Sequence, residues 1–195
     1  RELLERHQAC PEAVIWADQY KTLEEMWQEC PHPEWMLWSL EQLEYADDAK
    51  LRTFAACCAR RLWPLLDDRR SRQAIEAAER VARGEIDRSE LTGAWRAGKL
   101  AADEAPRRPG WDAAHAAAQT AASHTALSDG MVAAKSASKD ALRAVAWYTK
   151  GGVTAEAEEE WQANELRRII GSDITAVLQR AKRRMIVEEG RRRPA

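Results

Sequence analysis

A stripe of apolar residues between positions 51 and 65 most constrains what this chain can fold into. The stripe recurs at the 3.6-residue period of an α-helix and consists of Leu51, Phe54, Ala55, Cys58, Leu62 and Leu65. Asp47 or Asp48 can cap the start of such a helix, and Pro64 should end or kink it. We therefore predict a helix over about residues 48–63 with this stripe in the core.

The other faces of the same helix carry charged and small residues. Arg52, Ala59 and Arg60 fall away from the stripe, so we expect them outside the core. Cys57 borders the stripe and should be partly or fully buried.

Start and stop signals divide most of the remaining chain into further helices. Thr22 and Glu25 have the spacing of a capping box, as do Asp87 and Glu90. The predicted helices run over about residues 11–20, 23–29, 34–43, 68–83, 87–105, 154–170 and 173–186.

The stretch 111–149 has a different composition, because fourteen of its 39 residues are Ala. Alanine favours helix and lets helices approach closely. We expect either a helical hairpin with its turn at Ser128-Asp129-Gly130 or one long bent helix.

Together these patterns predict an all-α fold with more than about 65% helix. We expect a single domain over residues 1–190, built as a multi-helix bundle or an irregular α-solenoid. Its parts would be a Trp- and acid-rich region (1–106) and the Ala-rich and C-terminal helices (111–186). A basic disordered tail (190–195) would follow.

Charge is distributed unevenly along the chain. Residues 1–48 carry twelve acids and three bases, a net charge of −9, whereas residues 179–195 carry seven bases and two acids, a net charge of +5. Such asymmetry either steers a charged partner or reflects solvated helix faces.

The sequence contains no pattern that a known catalytic mechanism requires. It has no Gly-rich phosphate loop, no His-Glu-x-x-His motif and no nucleophile elbow. His115 and His124 would lie on opposite faces of one helix, and an Asp112–His115 contact would lack a nucleophile. The acids at 156–160 suit the positive end of a helix dipole. We therefore expect no enzyme activity, no catalytic or metal-binding residues and no cofactor.

The nine tryptophans and four cysteines are expected mainly in the core. The alternative for the tryptophans of the acidic third, Trp16, Trp27, Trp35 and Trp38, is a partner-binding surface. An adjacent pair, Cys57 and Cys58, is a poor disulfide framework, so we interpret all four cysteines as reduced core thiols. No apolar run reaches the roughly 20 residues that span a bilayer, and no signal peptide is visible. We expect a cytoplasmic protein that does not enter membranes.

Several segments, in order and spacing, resemble the immunity-five-like family of bacterial and phage immunity proteins. These segments are Ala9–Ala13 with Trp16, Leu23–Trp27 with Cys30, Trp35–Trp38, Leu51–Ala55 with Cys58–Arg61, Arg69 with Ser71–Arg72, Ala74–Glu76, Ala82–Glu85 and Trp161–Asn164 with Leu166–Arg167. The resemblance covers about residues 2–170, whereas the last helix and basic tail depart from the family's pattern. It implies an antidote that binds and blocks a partner toxin, and it carries no catalytic residues.

The leading hypothesis is therefore a protein-binding module whose partner is a toxin. An acidic surface could cover the basic active site of a nuclease toxin, with Glu34, Glu41, Glu44, Asp47 and Asp48 as the predicted contact residues. The alternative is a structural or regulatory helical module that binds nucleic acid or a larger assembly through its basic C-terminus.

Overall fold

The computed structural model describes residues 4–5, 7–148 and 152–192, with side chains as far as residue 184. Helix accounts for 76% of this part of the chain, which contains no strand, so the all-α prediction is confirmed. Its ten α-helices are α1 (Pro11–Ala17), α2 (Leu23–Glu29), α3 (Pro33–Gln42), α4 (Asp48–Arg60), α5 (Arg69–Ala82), α6 (Leu91–Glu104), α7 (Ala113–His124), α8 (Gly130–Trp147), α9 (Ala155–Ile170) and α10 (Asp173–Arg192).

Most of the predicted helix starts are confirmed by their hydrogen bonds. Thr22 and Glu25 form the reciprocal capping box of α2, and Asp47 rather than Asp48 accepts from the backbone of Lys50 at the start of α4. Thr154 caps α9 in the same way. The polar residue before each helix thus satisfies amide groups that have no partner inside it.

The capping box predicted for residues 87–90 is wrong. Residues Arg88–Glu90 form a 3₁₀ turn, the side chain of Asp87 makes no capping bond, and α6 begins only at Leu91. Within this turn the guanidinium of Arg88 donates to the carboxylate of Asp48 in α4, a long-range contact that the local pattern does not encode.

Helix α4 occupies the centre of the bundle. Leu51, Phe54, Ala55, Cys58 and Leu62 are all buried, which confirms the predicted stripe. The helix contacts α5, α7, α8 and α9 on different sides and is therefore buried almost all round. The helix ends at Arg60, and the sequence Trp63–Leu65 follows as a 3₁₀ turn.

Burial on all sides makes two of the predictions for α4 wrong. Arg52 and Ala59, expected on outer faces, are both fully buried, while Arg60 is half-buried and forms an ion pair with Glu79. Cys57 is half-buried, as expected. An apolar stripe marks only the first buried face of a helix, so additional packing against small or paired residues escapes the pattern.

The Ala-rich stretch forms the helical hairpin rather than one bent helix. Helices α7 and α8 pack along each other, and buried alanines line their contact. Close approach extends to α6, where a Cβ at Gly98 would lie 3.2 Å from Ala74 Cβ and from Ser123 Cβ. The hairpin therefore depends on side chains small enough to let backbones meet.

The guanidinium of Arg52 fastens the α7–α8 turn to α4. It donates to the carbonyl oxygens of Thr125 (3.2 Å), Leu127 (2.7 Å) and Ser128 (3.1 Å), and its Nε donates to Asp48 (3.2 Å). Asp48 in turn accepts from the Gly130 amide at 2.8 Å. We call this group, Arg52 and Asp48 with residues 125–130, the turn clasp.

The tryptophans lie mostly at the edge of the core. Of the nine, only Trp27 is fully buried, and Trp147 is 50% exposed. Arginine guanidinium groups cover the rings of four others that border solvent, in the pairs Arg60–Trp63, Arg61–Trp161, Arg108–Trp111 and Arg143–Trp147. These indole rings therefore cover the edge of the core, and a guanidinium group lies over each of the four.

The last helix extends beyond its expected end. We placed the start of a basic tail at residue 190, whereas α10 continues to Arg192. The remaining tail residues, 193–195, lie outside the described residues.

Replacing Phe54 with Ala should lower the free energy of unfolding by about 3–5 kcal/mol, because a fully buried ring is lost and a cavity remains. Chemical unfolding measures this loss. The neighbouring Thr53→Ala is the control and should change stability by less than about 0.5 kcal/mol. Similar stabilities for the two variants would show that Phe54 does not pack in the core.

Replacing Arg52 with Met should lower the free energy of unfolding by about 3–5 kcal/mol, because Asp48 and three carbonyl groups lose their buried partner. Arg52→Lys should recover little of this loss, since one ammonium cannot reach the same set of oxygens. The control is Arg60→Met, whose half-exposed ion pair should be worth about 1 kcal/mol or less. The turn clasp would be unimportant if both Met variants unfolded at the same denaturant concentration.

Candidate functional site

The five predicted contact residues do not form one free acidic surface. Glu34, in the first turn of α3, is exposed, and no hydrogen bond joins it to another described residue. Glu41 lies seven residues further along the same helix and accepts from Lys135 at 2.8 Å. These two carboxylates therefore share a face of α3, one available and one paired.

The other three predicted contact residues have roles inside the fold. Glu44 is exposed and accepts from Arg184 at 2.7 Å, which lowers the pKa of its carboxyl group. Asp47 caps α4, and Asp48 belongs to the turn clasp. Contact of these residues with a partner stays a prediction, but Glu34 is the one of the five whose carboxylate has no hydrogen-bond partner among the described residues.

The acidic and basic ends of the chain meet across the bundle. Lys182 of α10 donates to Glu24 of α2 at 2.8 Å and lowers the pKa of that carboxyl group. Arg184 reaches Glu44, and Asp173 at the start of α10 accepts from Lys50 at 2.8 Å. Lys182 and Arg184, two of the bases on which the nucleic-acid alternative depends, therefore already face carboxylates.

A cleft of about 410 Å³ lies between helices α1, α2, α3 and α10. Its volume is within the range of natural ligand-binding pockets. Its walls are mainly apolar and include Trp16, Trp27, Trp35, Trp38, Met26, Met36, Ile174 and Leu178. The rings of Trp16 and Trp35 are 5.8 Å apart and are half-buried, so large apolar surface faces the opening.

A few polar groups border the cleft. Glu34 and Lys135 lie on its lining, and His7 Nδ1 is 3.0 Å from Gln42 Oε1. Because Lys135 pairs with Glu41, no described cation is paired with the carboxylate of Glu34. The cleft can therefore bind apolar groups and attract a positive charge at its edge.

The four cysteines have free thiols in different surroundings. Cys10 is exposed on the cleft lining, so the prediction of a core position is wrong for this residue. Cys10 is the N-cap residue of the short helix α1, and it precedes the buried residues of that helix, Ala13 and Ala17. Cys30 and Cys58 are buried, which confirms their predicted position and raises the pKa of both thiols.

Sequence reasoning missed a buried polar group in the middle of the bundle. Glu158 is fully buried, accepts from Arg61 Nε at 2.7 Å and accepts from Gln162 Nε2 at 3.1 Å. Gln162 also accepts from Ser138 Oγ at 2.6 Å, which joins α9 to α8. The signal was present, because residues 158 and 162 continue the apolar face of Leu166 and Ile169 at helical spacing.

The histidines have structural partners. His115 and Asp112 form the capping box of α7, and His124 Nδ1 is 2.8 Å from Asp140 Oδ2. Within the described part of the chain, no group of three or more His, Cys, Asp or Glu side chains could hold a metal ion. No described helix is long and apolar enough to cross a bilayer.

Comparison with known proteins assigns the central part of the chain to a family. The sequence model of the Imm-5 like putative immunity protein family matches residues 41–169, from the end of α3 to the end of α9. This is 129 of the 195 residues and confirms the resemblance, over a shorter range than the 2–170 we expected. No curated protein and no solved structure matches.

In the native protein, a thiol reagent should label Cys10 rapidly and the other three cysteines slowly. Burial, assisted by Glu165, raises the pKa of Cys57 to about 11, which leaves roughly one thiolate in a thousand at pH 8. Mass spectrometry of partly labelled protein identifies the reacting residue, and Cys10→Ser should remove the rapid phase. Rapid labelling of Cys58 would show that α4 faces solvent instead.

Proposed function

We propose that this chain, which belongs to the Imm-5 like putative immunity protein family, is an antidote that binds a protein toxin and blocks it. The observation that carries the proposal is the family match over two thirds of the chain, including the central helix α4. The proposed mechanism is occlusion, in which the antidote covers the toxin's active surface. It requires no bond-making groups and no cofactor on the antidote itself.

The proposed partner is a basic protein, such as a nuclease toxin whose active site binds polyanions. Net charge of −9 over residues 1–48 supports this choice, because opposite charge accelerates association. We place Glu34 first among the contact residues, since its carboxylate is exposed and unpaired among the described residues.

Glu41 and Glu44 can join Glu34 after exchanging their present partners. Their ion pairs with Lys135 and Arg184 lie at the surface, where solvent screens the charges and such pairs contribute little to stability. A cation of the toxin could therefore replace Lys135 or Arg184 in these ion pairs with little loss of stability. Asp47 and Asp48 contribute instead through the fold, because their carboxylates hold α4 and the turn clasp.

We further propose that the protein acts in the cytoplasm and is not an enzyme. The cytoplasm is where an antidote meets a toxin before export, and three unoxidised buried or half-buried thiols are compatible with a reducing compartment. A nucleic-acid-binding role has less support, because described bases of α10 are engaged by acids of α2 and of the segment after α3.

Co-expression with toxins encoded beside the gene tests the proposal. The wild-type chain should restore growth and co-purify with one of them. Glu34→Lys should weaken the complex by about tenfold, because a favourable charge becomes a repulsive one. Affinity at two salt concentrations measures the loss, which should shrink as salt screens the charges.

Glu76→Lys is the matched control for this substitution. Glu76 is exposed on α5, which does not line the cleft, and its reversal makes the same change in net charge. Equal weakening by both substitutions would show that only overall charge matters. Failure to restore growth against every neighbouring toxin would refute the antidote proposal.

A further inference from the structure

We infer that the cleft between α1, α2, α3 and α10 receives an amphipathic helix of the partner, with apolar side chains inserted and Lys or Arg beside them. The inference rests on the proposed function, since it names the surface with which the antidote would hold its target. It commits to a basic helical segment of a protein as the occupant.

The cleft is large enough to hold several side chains of a ligand. Natural ligand-binding pockets measure about 300–1,000 Å³ and are lined mainly by apolar side chains. At about 410 Å³ this cleft lies in that range, and its walls are mainly apolar. Water in such a space gains little from the walls, so apolar side chains should displace it favourably.

The composition of the walls favours a protein ligand. Trp16, Trp35 and Trp38 line the cleft without being fully buried, so part of each indole surface remains for a ligand. Tryptophan is enriched among the residues that carry most of the binding energy in protein interfaces. The walls are helices, and a groove between helices suits an amphipathic helix whose apolar residues lie on adjacent turns.

Charge complementarity selects a basic helix over an acidic or neutral one. Glu34 lies on the lining with no described cation paired to it, and Glu12 is exposed in the first turn of α1, the helix that contributes Ala13 and Trp16. Among the described residues of the lining the one cation, Lys135, is already paired with Glu41. A Lys or Arg that flanks the inserted side chains would therefore meet the carboxylate of Glu34, which has no described partner.

The native protein carries its own reporter of occupancy. Cys10 lies on the lining and is exposed, whereas Cys30 on the same lining is buried and its pKa is raised by that burial. A helix seated in the cleft would cover Cys10 and slow its labelling. Because this readout requires no toxin, the chemistry of the cleft can be tested separately from the proposed function.

The test uses two synthetic helical peptides of about 15 residues with the same pair of leucines one turn apart. One peptide carries lysines beside the leucines and the other carries glutamates. The Lys peptide should slow labelling of Cys10 at least tenfold at saturation and should bind less tightly at high salt. The Glu peptide should give no protection. Equal protection by both peptides, or protection by neither, would overturn the inference.

Two substitutions on α1 distinguish peptide binding in the cleft from binding elsewhere on the surface. Ala13→Trp should fill the cleft and abolish peptide binding, whereas Ile15→Trp should not, because Ile15 is 73% exposed and does not line the cleft. Helix content and thermal unfolding establish that both variants are folded. If Ala13→Trp does not fold, Glu34→Lys replaces it and should reduce the preference for the Lys peptide at least severalfold. Unchanged binding by a folded Ala13→Trp or by Glu34→Lys would overturn the inference.

Further outcomes separate this inference from the proposed function. A neighbouring toxin that binds without protecting Cys10 would overturn the cleft as the docking surface and leave the antidote proposal intact. Lys-peptide binding without rescue by any toxin would support the cleft and refute the antidote. A small apolar molecule that co-purifies with the protein and blocks the Lys peptide, as seen by native mass spectrometry, would make the cleft a small-molecule site and overturn the inference.

Discussion

A single buried guanidinium holds the centre of this bundle together. Arg52 is fully buried in α4, yet its hydrogen bonds are accepted by the carboxylate of Asp48 and by three carbonyl oxygens of the α7–α8 turn, which follows the C-terminal end of α7. Those carbonyls have no partners within α7, and the cation also lies at the negative end of that helix dipole. Asp48 binds the amide of Gly130 at the start of α8, where a Cβ would lie 2.5 Å from its oxygen. The hairpin and the central helix are therefore held by the same pair of side chains.

Basic side chains also donate to backbone carbonyl groups at two other helix ends. Arg167 of α9 donates to the carbonyl groups of Trp27 and Cys30 at the end of α2. Lys50 of α4 donates to the carbonyl of Ile170 at the end of α9. In each case a basic side chain from one helix completes the backbone hydrogen bonding of another and favours its dipole. These contacts cross between elements far apart in sequence, so they fix the arrangement of helices as well as their ends.

The sequence predicted the elements better than it predicted which polar residues lie inside. Caps and periodicity located α2, α4 and α9 because those signals are local. Helical spacing places Glu158 on the apolar face of its helix, but the partners that allow Arg52 and Glu158 to be buried lie 73 and 97 residues away in sequence, and no local pattern identifies them. The cleft escaped prediction for a similar reason, since its walls come from residues 4–43 and from α10. The sequence identified Glu34 as one of five candidate contact residues. Only the structure shows that Lys135 pairs with Glu41 and leaves Glu34 without a described partner.

The placement of α10 has a consequence for how the molecule is made. Residues near position 178 supply a wall for the acidic N-terminal helices, and Lys182 and Arg184 supply their countercharges. A ribosome releases those helices before α10, so part of their apolar surface stays uncovered until α10 has been made. Closing a contact over such a distance along the chain is also intrinsically slow. The cleft is thus complete only once α10 has docked, and a nascent chain that stops short of α10 would lack the wall that this helix contributes.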